Sequence, residues 1–447
     1  MMMKNIHYKY ISFFLIILSI SSYFIGFIYG ENSAGAGGLY GDFSQTWTNL
    51  QLFLNNDIST ALKLTTTFDN DIYMSSRTPM LYIINKLFNP FIENKFIFIK
   101  SIFVVSLLVP ILFFLCLKEK FKNEENLLLI LISSTVCLSP YFRTSGFWGA
   151  EENYGLISLL ASFLFLNKFL SNIESVLKDY FWLFLTVLFS SITLYFDQKL
   201  AIIPLVCFLQ IIFSKKSYKL KFSCVFLYVA FSLPYVYLIS LWGNIIPSGD
   251  AYARGIGTRF YYHHLGYAST IIAFYLLPLL FYKNESFFKL FQNFLKIKRN
   301  YYLISLSFIY LIYLLAFYDP APGVISAYDS EGTLGKGIVH KVAILLFEQV
   351  YLQKILIYSA FIFSWLIIIV YLNNSDIKDK LIVLYFFVMS ALIVPIFQEY
   401  FDPLIILMVF TFFSSKLFIN YKNSIFLFSY LSIWLISANI YYYNLFN

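Results

Sequence analysis

Residues 9–29 read KYISFFLIILSISSYFIGFIY, an apolar run with a single lysine at its first position. A helix of about 20 apolar residues crosses the roughly 30 Å hydrocarbon layer of a bilayer, because each residue adds about 1.5 Å. The run is longer than the apolar part of a usual signal peptide, although Lys4 precedes it and the small residues 34–36 follow it. We therefore predict that it is the first of several membrane spans.

The composition of the whole chain extends this prediction. Of its 447 residues, 60% are hydrophobic and only 13% are charged, and the mean hydropathy is +0.72. A water-soluble core of this size does not require so much apolar surface, so the composition indicates an all-α polytopic membrane protein. Apolar runs predict twelve or thirteen transmembrane helices, at residues 9–29, 96–117, 126–142, 153–170, 180–196, 199–213, 222–243, 266–282, 301–318, 353–372, 381–397, 403–419 and 425–442.

The distribution of positive charge predicts the orientation of these spans. With the N-terminus in the cytoplasm, most of the 32 Lys and Arg residues fall in short cytoplasmic segments such as 215–221 and 296–299. Short cytoplasmic loops retain positive charge, which supports this topology. The net charge of +8 then faces the anionic lipid headgroups and requires no nucleic-acid partner.

Polar residues concentrate in the predicted outer loops. The first outer loop, residues 30–95, has apolar periodicity at 44–54 and 80–88, which predicts short interfacial helices. The next loops are a compact second loop at about 139–153, a tight turn at 197–199, two longer loops at 244–265 and 319–352, and a late loop at 398–403. We define the outer-loop set as Asp42, Arg77, Arg143, Glu151, Glu152, Asp197, Lys199, Arg254, Arg259, Glu399 and Tyr400.

The order of these features resembles the GT-C superfamily of membrane glycosyltransferases, whose members use a polyprenyl-phosphate-linked sugar as donor. The resemblance lies in Asp42 shortly after the first span, in the segment Arg77-Thr78-Pro79-Met80-Leu81-Tyr82 before the second, and in Ser139-Pro140 ahead of an acidic second loop. It covers residues 1–243, for which it implies a GT-C-like module with a catalytic first outer loop. Residues 244–447 match only as a variable set of further helices, with outer loops 244–265 and 319–352.

The resemblance implies roles for three carboxylates. The first-loop acid of the family falls on Asp42, which would be the general base toward an acceptor hydroxyl, and the second-loop acid falls on Glu151 or Glu152. The commonest family form has an acidic pair in the first loop, whereas Gly41 and Phe43 flank Asp42, so another first-loop acid remains open as the base. The implied reaction is an inverting transfer to a glycan, lipid or protein acceptor on the outer face of a bacterial inner membrane.

The chemistry of such a transfer agrees with the residue types of the outer-loop set. Attack on an anomeric carbon that carries a phosphate needs a carboxylate to accept the proton and cations to hold the leaving phosphate. Arginine suits phosphate because its planar guanidinium forms two parallel hydrogen bonds. The other eight members of the set are the candidate substrate-binding residues, of which one or two cations would bind the phosphate. No cofactor is required; a divalent metal beside Asp42 and Glu152 remains open, and nothing in the spacing requires it.

Simpler interpretations and other functions remain open. Asp42 can cap a helix at 43–54, Glu151 and Glu152 can cap the fourth span, Asp197 and Lys199 can pair across a turn, and Glu399 and Tyr400 can belong to an interfacial belt. An O-antigen or polysaccharide polymerase would instead use Arg254 and Arg259. A flippase or exporter of lipid-linked sugars usually buries ionisable residues within its spans, which are nearly free of charge in this sequence.

Overall fold

The structure is a computed structural model that describes residues 2–34, 42–66, 77–172, 175–247, 260–283, 285–298, 300–318, 335–373, 375–393 and 395–446. All regular elements in these ranges are helices. The α-helices are α1 (Met2–Ile28), α2 (Asp42–Asn55), α3 (Ile58–Thr66), α4 (Met80–Phe88), α5 (Lys95–Ser106), α6 (Leu108–Lys120), α7 (Asn126–Ser134), α8 (Pro140–Trp148), α9 (Glu152–Ser171), α10 (Val176–Phe196), α11 (Ile202–Ile212), α12 (Tyr218–Trp242), α13 (Tyr262–Leu276), α14 (Phe287–Leu295), α15 (Asn300–Phe317), α16 (Gly337–Leu346), α17 (Val350–Leu372), α18 (Ile377–Leu392), α19 (Leu404–Phe410) and α20 (Tyr421–Phe446). Short 3-10 helices occupy Thr135–Leu138, Gln198–Leu200, Pro278–Tyr282 and Gln398–Tyr400.

The prediction of an all-α polytopic membrane protein is confirmed. Within the described residues, eight helices are long and apolar enough to cross a membrane. They are Ile6–Ile28, Lys95–Lys120, Glu152–Ser171, Val176–Phe196, Tyr218–Trp242, Asn300–Phe317, Val350–Leu372 and Tyr421–Tyr443. Helices are also present at the predicted first-loop positions 44–54 and 80–88, as α2 and α4.

The predicted count of twelve or thirteen spans is higher than the structure gives for its described part. Four predicted spans contain shorter helices, α11, α13, α18 and α19. A fifth, at 126–142, bends by 65° between Leu138 and Pro140, so it adds a ninth span only if the bent pair counts as one. Pro140 begins the second part of this pair and the Ser139 side chain accepts from Phe142 N at 3.0 Å, which starts a new helix rather than continuing the old one.

The described chain divides into two compact units. The first comprises Met1–Tyr252 and Leu427–Asn447, and the second comprises Ala253–Phe426. In the first unit, aromatic side chains join α1, α5 and α8. The ring of Tyr23 stacks on Phe103 at 5.0 Å and on Phe142 at 5.2 Å between centroids. This packing holds the start of α8 against α1.

In the second unit, α19 is a short helix in which every residue is buried. Residues 413–420 follow it without helical structure. The carboxylate of Asp379, in the first turn of α18, accepts from Ser414 N and Ser414 Oγ, both at 2.9 Å. Phe418 N donates to Tyr282 O at 2.7 Å. These contacts satisfy backbone groups that a continuous helix would have satisfied internally.

Candidate functional site

Members of three predicted outer loops meet in the first unit. Arg77 Nη1 contacts Glu151 Oε2 and lies 3.9 Å from Glu152 Oε1. Lys199 Nζ lies 3.1 Å from Asp197 Oδ2, and both Lys199 and Arg77 attract the Glu152 carboxylate. We call these five residues the Arg77 cluster. It brings together three carboxylates and two cations from segments that are far apart in the sequence.

The two glutamates are positioned by the junction between α8 and α9. Gly149 ends α8 with a φ of 71°, in the left-handed region that glycine adopts without a steric penalty. Glu151 then precedes α9, but its side chain makes no capping hydrogen bond. Glu152 Oε2 instead accepts from Ser145 Oγ at 3.1 Å, and the same hydroxyl accepts from Asn153 N at 3.3 Å. The carboxylate of Glu151 is therefore directed to Arg77 rather than to the helix end.

A close approach between two helices brings the third segment to the cluster. A Cβ on Gly155 would lie 2.8 Å from Leu200 Cδ1 and 3.6 Å from Asp197 Cβ, so a side chain here would require the end of Leu200 to shift. Asp197 accepts from Lys199 N at 3.0 Å in addition to pairing with its ammonium. The predicted pairing across the turn is therefore present. The turn also places the Lys199 ammonium close enough to attract the Glu152 carboxylate.

The electrostatics of the cluster favour the neutral form of some carboxyls. Glu151 is only 7% exposed. Burial, together with the charge of Glu152, raises the pKa of Glu151 to about 8, although Arg77 opposes this shift. Burial likewise raises the pKa of Asp197, against the opposing effect of Lys199. The cluster can therefore offer a protonated carboxyl and an ionised carboxylate side by side, which is the requirement for moving a proton.

These shifts predict how stability depends on pH. A carboxyl whose pKa is higher in the folded chain binds its proton more tightly there, so its stabilising contribution is present at low pH and is lost as the pH rises from about 4.5 through about 8. Glutamine keeps the neutral form at every pH. We expect Glu151→Gln to reduce the loss of thermal stability over this window, measured as the unfolding temperature of the purified protein in detergent.

The control for this experiment is Glu125→Gln. Glu125 pairs with Lys9 at 2.8 Å, and the side chains are 54% and 44% exposed, so this variant should retain the pH profile of the wild type. If the stability of Glu151→Gln depends on pH as that of the wild type does, the raised pKa is not that of Glu151.

Arg143 has a different environment from the Arg77 cluster. Its exposed fraction is 2%. Its Nε lies 3.0 Å from both oxygens of Glu31, Nη1 donates to Cys137 O at 3.0 Å and Ser22 Oγ at 3.2 Å, and Nη2 donates to Ser22 O at 2.7 Å and to Glu31 Oε2. Asn439 Nδ2 also donates to Glu31, at 3.0 Å. All five N–H groups of Arg143 thus have acceptors within the protein.

This network includes a residue that sequence reasoning missed. Glu31 is a charged residue at the end of the first span. An ionisable residue at such a position usually pairs with another group, so the sequence did contain a signal for this contact. The substrate-binding role predicted for Arg143 remains a prediction. The structure gives this side chain internal contacts with Ser22, Glu31 and Cys137, and Glu31 in turn accepts from Asn439 of α20.

The other predicted residues are distributed as follows. Asp42 begins α2, but its side chain lies outside the described part of the chain, as do Arg254 and Arg259. Glu399 and Tyr400 lie in the 3-10 helix Gln398–Tyr400 of the second unit, where Glu399 attracts Lys341. Within the described residues, no group of three or more His, Cys, Asp or Glu side chains is arranged to hold a metal ion.

No protein-family model matches the chain, and no curated protein matches its sequence.

Proposed function

We propose that the chain is a membrane glycosyltransferase that transfers a sugar from a polyprenyl-phosphate donor to a glycan, lipid or protein acceptor. The observation that carries this proposal is the contact of Arg77 with Glu151 and Glu152. The resemblance to GT-C enzymes singles out these two segments, which are 74 positions apart in the sequence. A chance arrangement of loop charges would not require them to meet.

The proposed reaction uses the two kinds of charge in the cluster. The acceptor hydroxyl attacks the anomeric carbon, a new glycosidic C–O bond forms, and the bond from that carbon to the phosphate oxygen breaks. The hydroxyl proton passes to a carboxylate, which the resemblance assigns to Asp42, and polyprenyl phosphate leaves as an anion. Arg77 and Lys199 are the cations available to stabilise the charge that develops on this phosphate.

The proposal places the reaction on the extracytoplasmic face of a bacterial inner membrane, with the N-terminus in the cytoplasm. The positive charge of the short loops on the opposite side supports this orientation. The membrane then supplies the lipid carrier, and the long outer loops face the acceptor.

The test is transfer of labelled sugar from a set of polyprenyl-phosphate sugars by the purified protein in lipid. We expect transfer by the wild type and a loss of about 100-fold or more in Asp42→Asn, because the base is removed while the shape of the residue is kept. The control is Asp57→Asn. Asp57 is an exposed acid of the same predicted loop that binds Thr60 Oγ1 at 2.6 Å, and its substitution should leave transfer unchanged.

Two other results would overturn the proposal. Absence of transfer with every donor, together with movement of intact lipid-linked sugar between the leaflets, would identify a flippase. Loss of chain elongation in Arg259→Ala, with normal elongation in Asp42→Asn, would identify a polymerase.

A further inference from the structure

A surface cleft lies along one face of α2 in the first unit. Its volume is about 240 Å³, and its described lining consists of residues that share this face of the helix, namely Trp47, Thr48, Gln51, Leu52 and Asn55. The opposite face of α2, with Asn49, Leu50 and Phe53, is buried. The cleft, which we call the α2 cleft, therefore lies on the side of the helix that the core leaves open.

The lining of the α2 cleft combines an aromatic surface with uncharged polar groups. Trp47 is half-buried and packs on Phe98, with the ring centroids 5.8 Å apart. Gln51 Nε2 is buried and has no hydrogen-bond partner within the described residues. Rotation about the last bond of this side chain turns either the amide nitrogen or the amide oxygen toward a ligand. Thr48 Oγ1 donates to Ser44 O at 3.0 Å, so its lone pairs remain available as acceptors.

These groups match the surface of a sugar ring. A pyranose has a face of C–H groups, which packs on an aromatic ring, and hydroxyl groups at its edge, which donate and accept hydrogen bonds. The amides of Gln51 and Asn55 each offer a donor and an acceptor to such hydroxyls. A phosphate would instead require cations, which the described lining does not contain, and a lipid tail would leave the buried amide unsatisfied. The cleft is smaller than the roughly 300–1,000 Å³ of sites for drug-sized ligands, which suits a single sugar unit.

The start of α2 fixes the position of the cleft relative to the Arg77 cluster. A Cβ on Gly149 would lie 3.2 Å from Phe43 Cε2, so the Phe43 ring packs on the backbone of Gly149. Gly149 precedes Glu151 by two residues. Trp47 follows Phe43 by one helical turn, and their ring centroids are 6.2 Å apart. The α2 cleft thus begins one turn of helix away from the junction that positions Glu151.

We propose that the α2 cleft binds one sugar unit of a glycan substrate. Trp47 packs on the C–H face of the sugar, and the amides of Gln51 and Asn55 form hydrogen bonds with its hydroxyls. Binding of a sugar needs no turnover and is tested without it. The assignment of that sugar to the donor or to the acceptor rests on the proposed transferase function.

The test is a titration of the purified full chain in lipid nanodiscs with the methyl glycosides of glucose, galactose, mannose, rhamnose and N-acetylglucosamine. Saturation-transfer NMR of the glycoside gives the apparent Kd, and nanodiscs avoid glycoside detergents, whose headgroups would compete. We expect at least one glycoside to bind. The titration is then repeated with saturating citronellyl phosphate that carries the same sugar. A rise in the Kd of the glycoside assigns the cleft to the donor sugar, and an unchanged Kd assigns it to the acceptor.

Two variants remove the contacts of the cleft one at a time. Gln51→Leu removes the amide and should raise the apparent Kd about fivefold, the effect of losing one hydrogen bond between neutral groups. Trp47→Leu removes the aromatic surface and should raise it about tenfold. The matched control is Gln45→Leu, the same substitution at an exposed position of α2 that does not line the cleft, and it should keep the wild-type Kd.

Two results would overturn the proposal. They are the absence of binding of every glycoside to the wild type and an unchanged Kd in the folded variants. If Trp47→Leu does not fold, Gln51→Leu alone decides, because its position faces the cleft rather than the core. Glycoside binding without sugar transfer would reject the transferase and keep the cleft. Sugar transfer with an unchanged Kd in both variants would reject the cleft and keep the transferase.

Discussion

Arg143→Met lowers the free energy of unfolding by about 3–5 kcal/mol, the usual cost of removing one partner of a buried ion pair. In this variant the Glu31 carboxylate, whose side chain is 11% exposed, remains largely buried but loses the Arg143 guanidinium that pairs with it. The carbonyl oxygens of Ser22 and Cys137 also lose their donors. Equilibrium unfolding of the purified protein in detergent measures this loss.

Two comparisons separate the effect from that of an ordinary ion pair. Lys9→Met removes the exposed partner of Glu125 and should cost less than about 1 kcal/mol. The double variant Glu31→Leu with Arg143→Met removes both charges and should recover part of the loss, because no unpaired carboxylate remains buried. Equal losses in Arg143→Met and Lys9→Met would contradict the structural role of the network.

Arg77→Gln lowers the rate of sugar transfer by about 10²–10³-fold, the range found when one donor to a developing negative charge is removed. This expectation rests on the proposed transferase function. Arg77→Lys should retain part of the rate, because an ammonium replaces the charge but not the two parallel N–H groups. Initial rates of transfer from the labelled donor measure the loss in Arg77→Gln and the part retained in Arg77→Lys.

The matched control for Arg77 is Lys63→Gln, because Lys63 is an exposed cation of the same predicted loop. Its rate should equal that of the wild type. The unfolding temperature of Arg77→Gln is measured in parallel, since Arg77 also contacts Glu151. A normal rate in a folded Arg77→Gln protein would remove Arg77 from the site, whatever the fate of the Asp42 variant.

Hydropathy was sufficient to predict the membrane class but not the number of spans. An apolar run indicates that its side chains are kept away from water, but not whether lipid or protein surrounds them. Leu404–Phe410 illustrates this difference, because all its residues are covered by the protein. The bend before Pro140 had a local signal in Ser139-Pro140, which the span prediction at 126–142 did not use.

The candidate site was predictable in its residues but not in its geometry. Arg77, Glu151 and Glu152 were selected by position relative to the spans. Their contact depends on the junction after Gly149, and Lys199 is brought in by the close packing of Gly155 against the turn after α10.

The hydrogen bond from Asn439 to Glu31 joins residues 408 positions apart within the first unit. The ribosome adds about 5–20 residues per second, so Asn439 emerges roughly 20–80 s after Glu31. During this interval, in which Ala253–Phe426 is translated, Glu31 lacks the hydrogen bond from the last helix. Assembly of the first unit therefore requires residues 427–447, so a chain truncated before residue 427 leaves this unit incomplete.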